Sequence, residues 1–286
     1  MPTIPHLPLG DGASIPQLGF GVYKIPEAET VDAVHTALDA GYRHIDTAAF
    51  YGNERAVGEA VRRSGLPREE VYVTTKVWWS ENGYDSALRA VDASLDRLGF
   101  DRVDLFLIHW RALERVRDEG RARSIGVSNF HIHHLQRLAS ETGTVPAVNQ
   151  VELHPWLPQS DVRAYDDANG IVTEAWSPLA RGRVLGDPTL AALAQKHGAT
   201  PAQVVLRWQL QLGVVVIPKS SAPERIRENR DLFGFELDAD DLASWRAGYE
   251  PAVTVRFRGW DVYKAGVWSQ GPALLQTLRL IEDADD

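Results

Sequence analysis

A chain of 286 residues, 44% apolar and 24% charged, can fill a sizeable core as one large domain or two small ones. Its net charge of −9 argues against nucleic acid or an anionic membrane as the main partner, since both need a cationic face. The lack of cysteine excludes disulfides, thiolate metal sites and thiol nucleophiles.

The opening "MPTIPHLPLGDG" lacks the basic stretch and apolar run of a signal peptide. No apolar run approaches the roughly 18 residues of a membrane span, so a cytoplasmic protein is expected. "LPLGDGASIP" predicts a small β-hairpin turning at Gly10, Asp11 and Gly12. Then come eight short β-branched runs: "QLGFGV", "RHID", "VYVTTK", "VDLFLIH", "RSIGVS", "AVNQ", "IVTEAW" and "VVVIPK". Segments of helical period separate them, among them Val31, Val34 and Leu38, then Leu88, Val91, Leu95 and Leu98. Gly41 and Gly99 follow these two as stop signals. "TPAQVVLRW" predicts a helix capped by Thr200, with Pro201 at its first position and Gln203 completing a capping box. Strands alternating with helices, without a linker-like shift of composition, read as an α/β fold, a (β/α)₈ TIM barrel, forming one domain over residues 1–286.

Barrels place chemistry at the C-terminal ends of their strands. Asp46, Lys76, His109, Ser128, Gln150, Trp176 and Lys219 each fall at or just after the end of a different strand, so all seven are expected at one mouth. Within "GYRHIDTAAFYGNERAVG", Asp46 and Tyr51 lie across a strand-to-helix loop. A phenol titrates near 10 in water, and a neighbouring ammonium favours its ionised form. Lowering it by about three units corresponds to roughly 4 kcal/mol. Lys76 is the expected ammonium, Asp46 its anchor, and His109 a further polar group able to orient a carbonyl. The bland alternative is a buried ion pair with a capping tyrosine and a core histidine. "FHIHHL" places His131 and His134 on one helical face, but no further ligands are evident, so no metal is expected. There is also no strand-linked G-x-G-x-x-G, so no Rossmann dinucleotide site is expected.

The segment 41 to 58 resembles the aldo-keto reductase signature, and Asp46, Tyr51, Lys76 and His109 match that family's catalytic tetrad in order and spacing. The resemblance runs over residues 3 to 247 through "TKVWW", "LIHW", "GRARSIGVSNF", "VNQVELHPW", "EAWSPLARG" and "VVVIPKSSAPERIRENRDLF". It implies NADPH-dependent reduction of a small carbonyl substrate by a monomer, with Tyr51 as general acid. Lys76 and Asp46 would tune Tyr51, and His109 would position the substrate oxygen. The resemblance further implies that Ser128, Asn129 and Gln150 bind the nicotinamide carboxamide, with Trp176 standing where many relatives stack a tyrosine on the ring. Gly21, Val22, Ser177, Leu179 and Glu228 are cofactor contacts by the same match. Lys219, Ser220 and Arg225 would take the 2′-phosphate, which asks for cations and hydroxyls, and Asn229 the adenine. Pro223 marks the first turn of that last helix, whose N-terminus favours anions. Tyr23, Trp78 and Trp110 match positions lining the substrate pocket, Trp79 less clearly, while Glu152 and His154 belong to a motif of architectural role.

Two departures bear on the substrate. Relatives follow the strand-end His-Trp with a proline and a longer loop, whereas His109-Trp110 runs straight into "RALERVRDEG". Either the pocket has lost a wall or a stretch is missing there, which a Cα separation beyond about 3.8 Å at Trp110–Arg111 would show. The tail 248–286 does not resemble the family's, and reads as a strand over 253–257 and a helix over 273–281. Two other classes of function stay open: a catalytically silent NADPH-binding regulatory barrel, and a Schiff-base lyase using Lys76. The lyase needs a lysine depressed by desolvation or a nearby cation, and Asp46 works against that.

Overall fold

The computed structural model describes residues 2–77, 83–107, 111–244, 253–257 and 260–264. Two compact units result, Met1–Trp245 and Arg246–Asp286. The predicted hairpin forms first, β1 (His6–Pro8) pairing antiparallel with β2 (Ser14–Pro16). Its turn is closed by a Leu9 N–H to Ala13 O bond of 2.9 Å, with Gly12 at φ 87° where an L side chain would be strained.

Eight parallel strands follow, each paired with the next in chain order: β3 (Phe20–Gly21), β4 (His44–Asp46), β5 (Tyr72–Lys76), β6 (Val103–Leu107), β7 (Ala122–Ser128), β8 (Val148–Glu152), β9 (Val172–Trp176) and β10 (Val215–Val216). The seam between first and last closes through a parallel Leu18–Val216 bridge. Gly19 N–H donates to Val216 O at 2.8 Å, and Gly21 N–H to Pro218 O at 3.1 Å. The chain is therefore a (β/α)₈ barrel, its strands matching the β-branched runs of the sequence but mostly shorter, because pairing stops where the loops diverge.

Helices α1 (Glu27–Asp39), α2 (Glu54–Arg63), α3 (Tyr84–Leu98), α4 (Arg111–Asp118), α5 (Ile132–Thr142), α6 (Ser160–Ala168), α7 (Pro188–His197), α8 (Pro201–Gln211) and α9 (Pro223–Glu228) connect the strands, and α10 (Ala239–Ser244) follows. The Thr200–Gln203 capping box is present at α8, and Gly99 caps α3 at φ 68°. Outside the barrel, Phe106, Val73, Val127 and Val151 pack beneath Val34, Val57, Val91 and Leu113 of the helices.

Side chains alternate across each strand, so one parity lines the lumen. Part of it is apolar: Leu105, Leu107, Val148 and Val215 form one cluster with Leu9 and Ile15 of the hairpin. The rest is polar, with His44, Asp46, Thr74, Gln150 and Glu174 all buried.

In the second unit, β11 (Val253–Phe257) fits the expected strand. An antiparallel partner, β12 (Trp260–Lys264), was not expected; its register pairs Phe257 with Trp260. The expected helix over 273–281 and the Trp110–Arg111 connection lie outside the described residues. Among those described, no helix is long and apolar enough to cross a membrane.

One contact sets the spacing of the helical layer. A Cβ added at Gly58 of α2 would meet the backbone oxygen of Leu98 at only 1.9 Å. Gly58→Ala should therefore push α2 from α3 and cost about 2 kcal/mol, read as a lower urea midpoint at unchanged slope.

Candidate active site

The lumen's polar part is built around one ion pair. Asp46 ends β4 and Lys76 ends β5, neighbouring strands. Lys76 Nζ donates to Asp46 Oδ1 at 2.7 Å, to Asp46 Oδ2 at 2.6 Å and to Thr47 O at 2.9 Å. Burial alone would lower the Lys76 pKa, but Asp46 and Tyr51 outweigh it and hold the ammonium above its ordinary value. Tyr51 follows on a single 3-10 turn, Ala49–Tyr51, which places its ring centroid 5.4 Å from Lys76 Nζ.

The phenol itself departs from the expectation. Lys76 does lower its pKa, by charge and by hydrogen bonding, but burial is the larger effect and Asp46 adds to it, so Tyr51 is raised overall. Desolvation penalises phenolate more than one paired ammonium can repay. The hydroxyl is thus protonated at neutral pH, the state a proton donor requires.

Two residues that sequence reasoning passed over brace the loop that carries Tyr51. Asn53 is fully buried; its Oδ1 accepts from Thr47 Oγ1 at 2.9 Å, and its Nδ2 donates to Val22 O and Ile25 O. Glu54, at the start of α2, accepts from Thr75 Oγ1 at 2.6 Å and from Arg97 Nε at 2.6 Å. The loop carrying Tyr51 is so tied to β3, β4, β5 and α3. The polar Asn-Glu pair two residues after Tyr51 was the available signal.

On the other side, Gln150 of β8 reaches across the lumen. Its Nε2 donates to Asp46 Oδ2 at 2.9 Å and to Glu174 Oε2 of β9 at 2.8 Å. Ser128 Oγ donates to Gln150 O at 3.2 Å, and Asn129 N–H to the same oxygen at 2.8 Å. Trp176 Nε1 donates to Asn129 Oδ1 at 2.9 Å, fixing the indole's edge. Asn129 and Ser177 have φ of 60° and 49°, left-handed conformations that cost about 1–3 kcal/mol in non-glycine residues and concentrate at functional sites.

Beyond this rim, Val22 is buried and its N–H donates to Asp46 O at 3.0 Å, while Gly21 runs 3.0 Å (to an ideal Cβ) from Ile217 O at the seam. Tyr23 is exposed, its ring 4.9 Å from that of Tyr51. Leu179 is half-buried. Lys219 and Arg225 are exposed and form no ion pair among the described residues. Ser220 is buried, accepting from Ala222 N–H at 3.1 Å, and Asn229 is buried at the end of α9. Glu228 accepts from Thr200 Oγ1 at 2.6 Å, which ties α9 to α8. His109, Trp110, Trp78 and Trp79 lie outside the described residues. The three histidines serve the start of α5, where His134 Nδ1 accepts from His131 N–H at 3.1 Å. Glu152 and His154 lie 3.6 Å apart at the turn after β8.

Comparison with known proteins decides the family. Residues 16–250 match the aldo/keto reductase family. The chain belongs to it. An aldo-keto reductase of Mycolicibacterium smegmatis is 54% identical over 252 residues, 84% of this chain and 92% of that protein. The glyoxal reductase of Bacillus subtilis is 46% identical over 245 residues, 82% and 89% of the two chains. Among solved structures, an aldo/keto reductase from Brucella melitensis superposes with a TM-score of 0.82 at 49% identity, covering 85% of this chain and 98% of its own. A mutant of Gox0644 in complex with NADPH gives 0.82 at 44% identity, over 85% and 93%.

The ion pair is nearly sealed from water, its side chains 11% and 3% exposed. Asp46→Asn would leave a buried ammonium without its counter-charge, and stability to urea should fall by about 3 kcal/mol.

Proposed function

We propose that this aldo-keto reductase reduces aldehydes and ketones to alcohols with NADPH, Tyr51 giving the proton. The observation that carries the reading is a half-buried, protonated phenol beside an ammonium locked on a carboxylate, at the mouth of the barrel.

The cofactor, when bound, supplies a hydride to the carbonyl carbon. Tyr51 Oη donates its proton to the carbonyl oxygen, completing the alcohol. The phenolate left behind is stabilised by the Lys76 charge, which Asp46 and Thr47 O keep in position. Because that stabilisation grows as charge develops on the phenol, it favours the transition state over the resting site. His109 is assigned to orienting the carbonyl oxygen, and Tyr23, Trp78 and Trp110 to the substrate walls. A monomer acting in the cytoplasm is part of the same proposal.

The residues present suit the cofactor chemically. Ser128, Asn129 and the Gln150 carbonyl offer acceptors and donors for a carboxamide, and the pinned Trp176 indole offers a face for a ring. Lys219, Ser220 and Arg225 supply the cations and hydroxyl that a phosphate needs in a chain of net charge −9. Gly21, Val22, Ser177, Leu179, Glu228 and Asn229 complete the proposed contacts. A glyoxal reductase and an NADPH complex among its relatives support the same reading. A lyase acting through Lys76 is opposed by the raised lysine, since a protonated amine is no nucleophile.

Tyr51→Phe should lower NADPH-dependent carbonyl reduction by about 10²–10⁴-fold, the usual contribution of general acid catalysis. NADPH binding, followed by quenching of the protein's tryptophan emission, should hold within about threefold, because the hydroxyl is not a cofactor contact. Retained turnover would remove Tyr51 from the acid's role. Tight NADPH binding by the wild type without turnover on any carbonyl would instead indicate a silent binding protein.

A further inference from the structure

Glu174 is an acidic residue in the middle of a barrel strand, and the proposed reaction makes no use of it. It is fully buried, on the lumen-facing parity of β9 that also carries Trp176. Its Oε2 accepts from Gln150 Nε2 at 2.8 Å, while its Oε1 is buried without a hydrogen-bond partner. The nearest basic group to Oε1 is His44 Nε2, at 3.7 Å and so beyond hydrogen-bond reach. That nitrogen already pairs with Thr74 Oγ1 at 3.0 Å.

Two carboxyls, Asp46 and Glu174, therefore share one amide, and a single ammonium lies among them. Lys76 is committed to Asp46. An ionised Glu174 would leave an oxygen charge in the lumen with no donor, which burial disfavours at neutral pH.

From this juxtaposition we infer that Glu174 is a positioning residue that works as a neutral carboxylic acid, its proton on Oε1, fixing the amide of Gln150. With both amide hydrogens of Gln150 spent on Asp46 and Glu174, only its carbonyl oxygen is left to face a ligand. That oxygen would accept from the carboxamide N–H₂ of the nicotinamide, and an amide flipped the other way would repel it. A neutral Glu174 also leaves Lys76 opposed by one anion rather than two, so its field on Tyr51 stays strong. This inference rests on the proposed NADPH-dependent reduction for its ligand, but not for the protonation state.

Burial and the Asp46 charge push Glu174 up to about 8, against smaller opposing effects of Gln150 and Lys76. The groups facing it are His44 and Asp46 of β4, Tyr72 and Lys76 of β5, and Gln150 of β8. His44 is held neutral, at about 3, by burial and by Lys76. Tyr72 is raised well above its ordinary value by burial, and Lys76 stays charged. Because the folded value of Glu174 lies above the unfolded one of 4.5, its contribution to stability is full below about pH 4.5 and is lost as pH rises through about 8.

The test compares wild type, Glu174→Gln and Glu174→Leu. In ligand-free protein, difference infrared spectra should show a carboxylic-acid C=O band that disappears as pH rises through about 8 and is missing from E174Q. The wild-type melting temperature should fall relative to that of E174Q between about pH 4.5 and 8 and level off above that. E174L should weaken NADPH binding about tenfold, the equivalent of one buried hydrogen bond, and the isosteric amide of E174Q should restore most of it. In turnover, the alkaline limb of kcat/KM should move upward in E174Q. Absence of the band, or parallel melting profiles, would overturn the neutral acid. An E174Q as impaired in NADPH binding as E174L would overturn the positioning role. Neither infrared nor melting depends on turnover, so a failure of the proposed reaction would be told apart from a failure of this inference.

Discussion

The polar lumen of this barrel depends on one ammonium. Lys76 could not be buried alone; desolvation would strip its proton or unfold its surroundings. Asp46 and the carbonyl of Thr47 together satisfy it, and because they follow one another at the end of β4 the satisfaction depends on strand register, not on a mobile loop. Tyr51, Gln150 and, through Gln150, Glu174 all take their positions from that pair. Chemistry at the mouth is then a consequence of how the lumen is kept electrically balanced.

The barrel divides its interior by polarity. Leu105, Leu107, Val148 and Val215 cluster with the hairpin's Leu9 and Ile15. His44, Thr74, Gln150, Glu174, Asp46 and Lys76 form a polar cluster in which β4 and β8, not neighbours in the sheet, are joined across the lumen by the Gln150–Asp46 bond. Such a bond keeps the barrel's cross-section rigid where the site needs fixed distances. Backbone strain is placed just outside it, at Asn129 and Ser177, where β7 and β9 hand over to their loops.

Much of this was readable beforehand. Each strand announced itself by a short β-branched run, and Asp46, Lys76, Ser128 and Trp176 could be placed by counting to a strand's end, since parallel strands in one barrel share a polarity. Gln150, expected at an end, lies in the middle of β8. The cap at Thr200 and the stop at Gly99 were equally plain, because both are local: a side chain reaching three residues on, and a residue free to turn left-handed. Less legible were Asn53, Glu54 and Glu174. Their types were visible, but an acid inside "IVTEAW" could as well have faced solvent between strand and helix.

What the sequence alone determined, then, was the fold, the family resemblance and the set of groups able to do chemistry at the mouth, because periodicity, capping and motif spacing are properties of neighbouring residues. What only the tertiary structure decided was the state of those groups. Tyr51 was expected to be pulled down by Lys76 and is instead raised, because desolvation, with Asp46 adding to it, outweighs one charge. Glu174 gained its bond to Gln150, 24 residues away along the chain, only when the barrel closed around both. Ionisation and amide orientation answer to the sum of every dipole and void around a group, and that sum exists only once distant strands have been brought together.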